Sequence, residues 1–313
     1  MVPLASPDVL HAELPENPLC LITDDGSSLA PVLAKALSEQ GWSPVILRFS
    51  GISAIVKKKR KPFAKEIPLI ELSSSAESEL ETSLKSLTEK HGNIGGFIHL
   101  HPVSSVPAEL KLEDGANALL KQAFLTAKNV CTFLNEAGKP DSSRSHFLAV
   151  AYLDGELGMG SGQFGAVGSG LSGLIKTAGV EWPDVFCRFV DLQPELTADT
   201  AASCILQELL DPDLRIKEVG YSGSGKSGTR RMTVQPKIIR DLTTKISSKS
   251  LTKKSVFLVS GGARGVTAEC VVKLAQTQPC SFILLGRSTI EEEPEWAEGV
   301  GEDKTKLKQA AMK

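Results

Sequence analysis

The turn Ser260-Gly261-Gly262-Ala263-Arg264-Gly265-Val266-Thr267 joins an apolar run, Val256 to Val259, to a segment with helical spacing. Its glycines leave backbone N–H groups bare at a helix N-terminus, where the helix dipole adds positive potential, and the chemistry this suits is the binding of a nucleotide pyrophosphate. Arg264 can reach the same phosphate. The next apolar run, Phe282 to Leu285, ends in Gly286-Arg287-Ser288. An acid at that strand end would bond ribose hydroxyls, whereas a guanidinium pairs with a 2′-phosphate. Gly261, Gly262, Ala263, Arg264, Gly265, Val266, Gly286, Arg287 and Ser288 are therefore the expected cofactor-binding residues, and NADPH is the expected cofactor.

Residues 19 to 48 repeat the order strand, turn, helix, strand, but the turn is Asp24-Asp25-Gly26-Ser27-Ser28. Two carboxylates at this place repel a pyrophosphate. Their side chains are expected to serve as turn or cap acceptors for the following helix, leaving the first copy a scaffold without an open cofactor cleft.

The elements that must position these turns alternate between strand and helix. After the first unit come strand 68–72, helix 76–90, strand 94–100, helix 112–135, strand 146–151, helix 164–180, strand 185–191, helix 199–210 and strand 216–221. This predicts an α/β fold, a doubly wound parallel sheet of degenerate dinucleotide-binding type, followed by a partial second strand–helix–strand unit. The expected domains are an N-terminal linker at 1–18, a structural subdomain at 19–236, a basic, serine-rich linker at 237–254 and a truncated cofactor-binding start at 255–313. About 60 residues cannot cover both faces of a parallel sheet, so the second unit reads as cut inside a domain.

Composition narrows the classes. The chain has 313 residues, 41% of them hydrophobic, and a net charge of −2, which suits a globular protein and argues against general nucleic-acid binding. Its apolar runs are strand-sized and the N-terminus lacks the pattern of a signal peptide, so a cytoplasmic location without a membrane span is expected. Cys20, Cys131, Cys187, Cys204, Cys270 and Cys280 are widely spaced and read as reduced core thiols.

The order of these motifs resembles the ketoreductase region of multidomain polyketide synthases, and especially of polyunsaturated fatty acid synthases. It rests on Ser260 to Thr267, Leu284 to Ser288 and Gln163 to Pro183. The resemblance implies two short-chain dehydrogenase folds in tandem, a degenerate structural subdomain supporting a catalytic one. That family's helix opens with Tyr-x-x-x-Lys, with a serine upstream, because the tyrosine must donate a proton at a pKa lowered by the lysine. Phe164 falls at the tyrosine, Gly168 at the lysine and Ala151 near the serine, so this copy is expected to be silent. Thr267 stands where the family commonly has its last glycine. The implied activity of the parent protein is hydride transfer from NADPH to a β-keto group tethered to an acyl carrier protein, with neighbouring synthase domains as further partners. The catalytic residues would follow Lys313. A non-catalytic scaffold is the alternative.

Three other signals point elsewhere. Gly220 to Ser227 satisfies the P-loop pattern, but Gly228 to Pro236 reads as a strand where a P-loop needs a helix, so a hairpin turn is expected rather than a nucleotide triphosphatase. His99 and His101 share a strand face but lack a third metal ligand, and are expected to be core histidines. The run Lys57-Lys58-Lys59-Arg60-Lys61 is expected to be a solvated loop face.

Overall fold

In the computed structural model, the described residues are 1–9, 19–50, 61–74, 76–102, 114–138, 144–160, 166–223, 228–236, 251–262 and 265–286. The chain divides into two compact units, Met1–Pro236 and Lys237–Lys313.

The first unit runs β1 (Val2–Pro3), β2 (Leu19–Thr23), α1 (Leu29–Glu39), β3 (Ser43–Arg48), β4 (Leu69–Glu71), α2 (Glu77–His91), β5 (Ile94–Leu100), α3 (Asp114–Ala137), β6 (Ser145–Ala151), α4 (Ala166–Glu181), β7 (Val185–Leu192), α5 (Ala198–Leu210), β8 (Glu218–Ser222) and β9 (Arg230–Thr233). Its sheet has nine strands in the order β1-β9-β8-β7-β6-β5-β2-β3-β4. All pairings are parallel except β8 with β9 and β9 with β1. Strands β2, β5, β6 and β7 are buried at every residue, as their continuous apolar runs require of a sheet covered on both faces.

Two helical layers provide that cover. Leu29, Leu33 and Leu37 of α1 join Ile205 and Leu209 of α5 on one face. Leu80, Leu84 and Leu87 of α2, Val130 and Leu134 of α3, and Leu171 and Ile175 of α4 line the other. Both sets recur at three- and four-residue spacing, which gives each helix one apolar stripe to bury. Strand order reverses at β2, between β3 and β5, so the carboxyl ends of β2 and β5 form the topological switch point where such folds carry ligands.

The opening residues differ from the expected linker. Val2 and Pro3 pair antiparallel with Thr233 and Met232, while the Leu4 N–H donates to Arg231 O at 2.8 Å. A strand of two residues has no periodicity to read, and it forms here because β9 presents an edge that needs partners.

The second unit contains β10 (Val256–Ser260), α6 (Gly265–Thr277) and β11 (Ser281–Leu285), with β10 and β11 parallel. Phe257 and Phe282 stack with centroids 5.5 Å apart, yet α6 buries none of its residues and Leu258 is 67% exposed. Two strands and one helix have too little surface to enclose a core.

Candidate functional site

The turn after β10 has the geometry its glycines allow. Ser260 pairs with Leu285, and the next N–H, that of Gly261, donates to Leu285 O at 2.7 Å. Gly261 and Gly265 lie at φ +72° and +62°, a region that side chains disfavour. A Cβ on Gly262 would stand 2.8 Å from Leu284 Cδ2 and 3.0 Å from Val259 Cγ1, so the turn backbone lies closely on the strands and a side chain here would displace theirs. Helix α6 then starts at Gly265, with Val266 exposed, and Gly286 follows β11 with open space around it. Gly261, Gly262, Gly265, Val266 and Gly286 thus come together at the carboxyl edge of β10 and β11. Ala263, Arg264, Arg287 and Ser288 lie outside the described residues.

The turn after β2 has the same frame with different contents. Asp24 N–H donates to Leu47 O at 2.9 Å, the counterpart of the Gly261 bond, so Asp24 stands in the place of Gly261 and Asp25 in that of Gly262. The Asp24 carboxylate accepts the Gly26 N–H at 2.9 Å and Arg48 Nε at 2.6 Å. Asp25 accepts the Ser27 N–H at 3.1 Å and its hydroxyl at 2.5 Å, while Ser27 Oγ accepts the Leu29 N–H at 2.9 Å. Both aspartates are therefore turn acceptors, and Ser27 caps the start of α1. Burial raises the Asp25 carboxyl to about 6. Arg48 also bonds Glu71 and lies over the Phe63 ring at 5.6 Å, and the Lys61 N–H donates to Ser28 Oγ at 3.2 Å. Groups that would meet an anion already have partners within the chain.

The switch point is stitched as well. Thr23 Oγ at the end of β2 accepts the Leu100 N–H at 2.8 Å and lies 3.3 Å from both Leu100 O and His99 Nδ1. His99 and His101 are buried, with His99 Nε2 and His101 Nδ1 unpartnered, and burial lowers their pKa values to about 3 and about 4. Among the described residues no group of three or more His, Cys, Asp or Glu side chains could hold a metal. A Cβ on Gly168 would sit 3.5 Å from Ala151 Cβ and from His101 Cδ2. The positions matched to the lysine and the serine do meet, and neither bears an ionisable group. Phe164 lies outside the described residues.

The remaining signals are placed as follows. Gly220, Tyr221 and Ser222 of β8 pair antiparallel with Met232, Arg231 and Arg230 of β9, so a strand rather than a helix follows Gly220 to Ser227. Residues 224–227 lie outside the described residues, as do 57–60 of the basic run, whose Lys61 is exposed and 3.9 Å from Asp199. Cys20, Cys187 and Cys204 are buried, with burial raising the Cys187 and Cys204 thiols to about 12 and about 11, whereas Cys270 is exposed on α6.

Sequence reading missed a buried ionic cluster. Arg188 of β7, fully enclosed, bonds Glu208 at 2.5 Å and Asp211 at 2.7 Å. Arg231 of β9 bonds Glu208 at 2.6 Å and also Asp211, and the Tyr221 hydroxyl donates to Glu208 at 2.5 Å. The available signal was a lone arginine inside the apolar strand VFCRFVDL, which must be paired to be buried. The cluster ties the antiparallel edge to α5 and lies away from the turns.

Comparison with known proteins agrees with this frame. No family model matches the chain. A 3-ketoacyl-(acyl-carrier-protein) reductase from Brucella melitensis, complexed with NADH, superposes with a TM-score of 0.51 at 15% identity, covering 65% of this chain and 95% of that one. The gox2181 structure superposes at 0.50 with 14% identity, covering 66% and 93%. The fold is that of the short-chain dehydrogenases, a doubly wound dinucleotide-binding sheet. The whole chain is also 32% identical, over 327 aligned positions, to one subunit of the polyunsaturated fatty acid synthase of a Thraustochytrium species. The chain spans about 10% of that relative's length. No helix among the described residues is long and apolar enough to cross a membrane.

Proposed function

We propose that the first unit is a structural subdomain and the second the cofactor-binding start of a catalytic one, in an NADPH-dependent β-ketoacyl reductase within a multidomain synthase. The observation that carries this reading is the contrast at equivalent positions. Gly261 and Gly262 leave a bare turn, whereas Asp24 and Asp25 fill theirs. Gly262 lets the turn lie close on the strands. A Cβ at Gly261 or Gly265 would meet nothing within 4 Å, which leaves room for the close approach of a pyrophosphate, and Gly265 opens the helix whose dipole favours it. Arg264 and Arg287 are assigned to the phosphates, Arg287 to the 2′-phosphate, with Ala263, Val266, Gly286 and Ser288 completing the lining. When bound, the nicotinamide supplies a hydride, and the acceptor is a β-keto group on a thioester carried by an acyl carrier protein.

In the sequence, Phe164 and Gly168 stand at the tyrosine and lysine positions of the first unit and neither can donate a proton, so these 313 residues by themselves should not reduce the substrate. The test uses a polypeptide extended through the whole second unit. It should bind NADPH and reduce a β-ketoacyl thioester, while the 313-residue chain binds weakly at best and reduces nothing. A non-catalytic scaffold is the second reading, favoured by the sealed first turn. It would be adopted if the extended protein bound no nucleotide.

A further inference from the structure

Residues 61–71 lie against the first turn and complete it from outside. Arg48 directly follows Leu47, whose carbonyl accepts the turn N–H, so it stands within one residue of the place Arg287 takes after Leu285. Its guanidinium already has three partners. Nε donates to the buried Asp24 carboxylate at 2.6 Å, Nη1 bonds Glu71 of β4, and the Phe63 ring lies at 5.6 Å. Phe63 and Ile67 pack on the core that α1 also covers, and the Lys61 N–H donates to Ser28 Oγ at 3.2 Å. We propose that residues 61–71 are a strap imitating the adenosine end of a nucleotide, with the Phe63 ring in the place of adenine and the Glu71 carboxylate in that of a 2′-phosphate. Displacing these two side chains uncovers a site for adenosine 2′-phosphate on Arg48.

The partners of Arg48 have the chemistry of that ligand. A guanidinium holds carboxylate and phosphate oxygens through the same N–H fork, and it also stacks on aromatic faces. A ribose whose 2′-phosphate meets the guanidinium brings its adenine alongside, and a cation is attracted to an aromatic ring within about 6 Å. Phe63 supplies such a ring. The two acids are held with different firmness. Asp24 is enclosed and also accepts the Gly26 N–H, so it stays and orients Arg48. The Glu71 side chain is 61% exposed and Phe63 is partly exposed, so both can leave without opening the core. The pyrophosphate end stays closed throughout, because the N–H groups of Gly26 and Ser27 belong to Asp24 and Asp25. The uncovered site therefore takes an adenine ring with a 2′-phosphate and refuses an intact dinucleotide. This inference rests on the proposed function only in reading the first unit as a retired copy, and its signals come from the first turn alone.

The test is titration of the full chain with adenosine 2′-phosphate, followed by NMR at the Arg48 Nε–H and the Ser27 and Leu29 amides. In the natural chain these signals should stay in place. In Phe63→Ala/Glu71→Gln they should shift, with binding tighter than in the natural chain by about tenfold or more, the worth of one charge-assisted bond. Adding Arg48→Lys should return binding to the natural level, because lysine keeps the charge opposite Asp24 and loses the fork. NADPH should leave the same signals in place in every variant. If the double variant fails to fold, Glu71→Gln alone, at an exposed side chain, should still give a severalfold gain. Unmoved signals in the folded variant, a gain that survives Arg48→Lys, or first-turn shifts with NADPH would each overturn the strap. Failure of NADPH to bind the second unit would count against the proposed function and leave these signals unaffected.

Discussion

The turns after β2 and β10 share one backbone frame and reach opposite ends. At each, the first N–H beyond the strand bonds the neighbouring strand, through Leu47 O or Leu285 O. In the first, the N–H groups of Gly26, Ser27 and Leu29 then go to the chain's own side-chain oxygens, and the guanidinium of Arg48 goes to Asp24. In the second, Gly261 and Gly262 have no side chain to compete. A nucleotide turn can thus be retired without altering its fold, because polar side chains supply internally the acceptors that a phosphate would bring. Such local bonds also stabilise the turn, as side chain to backbone pairs do elsewhere.

The largest test of this contrast removes Arg48. Arg48→Ala leaves the buried Asp24 carboxylate without its guanidinium, and the first unit should lose about 2–3 kcal/mol in chemical denaturation, somewhat less than for a fully enclosed pair. An unchanged midpoint would mean that the pair does not hold the turn.

The second test addresses the bare turn, in a polypeptide extended through the whole second unit. Gly262→Val forces a side chain onto Leu284 and Val259 and should abolish NADPH binding measured by titration. Arg287→Asp should lower the preference for NADPH over NADH by about ten- to a hundredfold, the worth of a charge-assisted bond. Full retention of that preference would reassign the 2′-phosphate to Arg264.

Acid–base behaviour offers a smaller and more discriminating test. His99 and His101 have lowered pKa values, so their contribution is present above 6.5 and lost as pH falls toward about 3 and about 4. Asp25 and Asp191 have raised values, so theirs is present at low pH and lost as pH rises to about 6 and about 7. Burial lowers the His146 pKa as well, so three rising slopes oppose two falling ones between about pH 4.5 and 6, and stability should rise there by about 1.4 kcal/mol per pH unit. His101→Phe removes one rising slope, so stability should then fall by about 1.4 kcal/mol per pH unit relative to the natural chain. Parallel pH profiles for the two proteins would show that His101 is not held neutral.

The smallest effect is expected between β8 and β9. Lys226→Ala should change stability by less than about 0.5 kcal/mol, as exposed turn substitutions do. Magnesium-dependent ATP binding that vanishes in this variant would restore the P-loop reading.

What the sequence determined by itself is whatever depends on near neighbours. Apolar periodicity placed nearly every helix and strand of the first unit within about two residues, since one face must be buried whatever covers it. The glycines of 261–265 and the aspartates of 24–25 likewise declare a bare turn and a filled one, because these bonds run between residues two apart. Only the tertiary structure decided the partners that arrive from elsewhere. Arg48 reaches Asp24 from 24 residues away, and Thr23 meets Leu100 across 77. Arg188 finds Glu208 and Asp211, β1 finds the β9 edge, and Asp191 finds the N–H groups of Leu153 and Leu157. Pairing and desolvation depend on what the fold brings within a few ångströms, and residue spacing along the chain does not encode that distance.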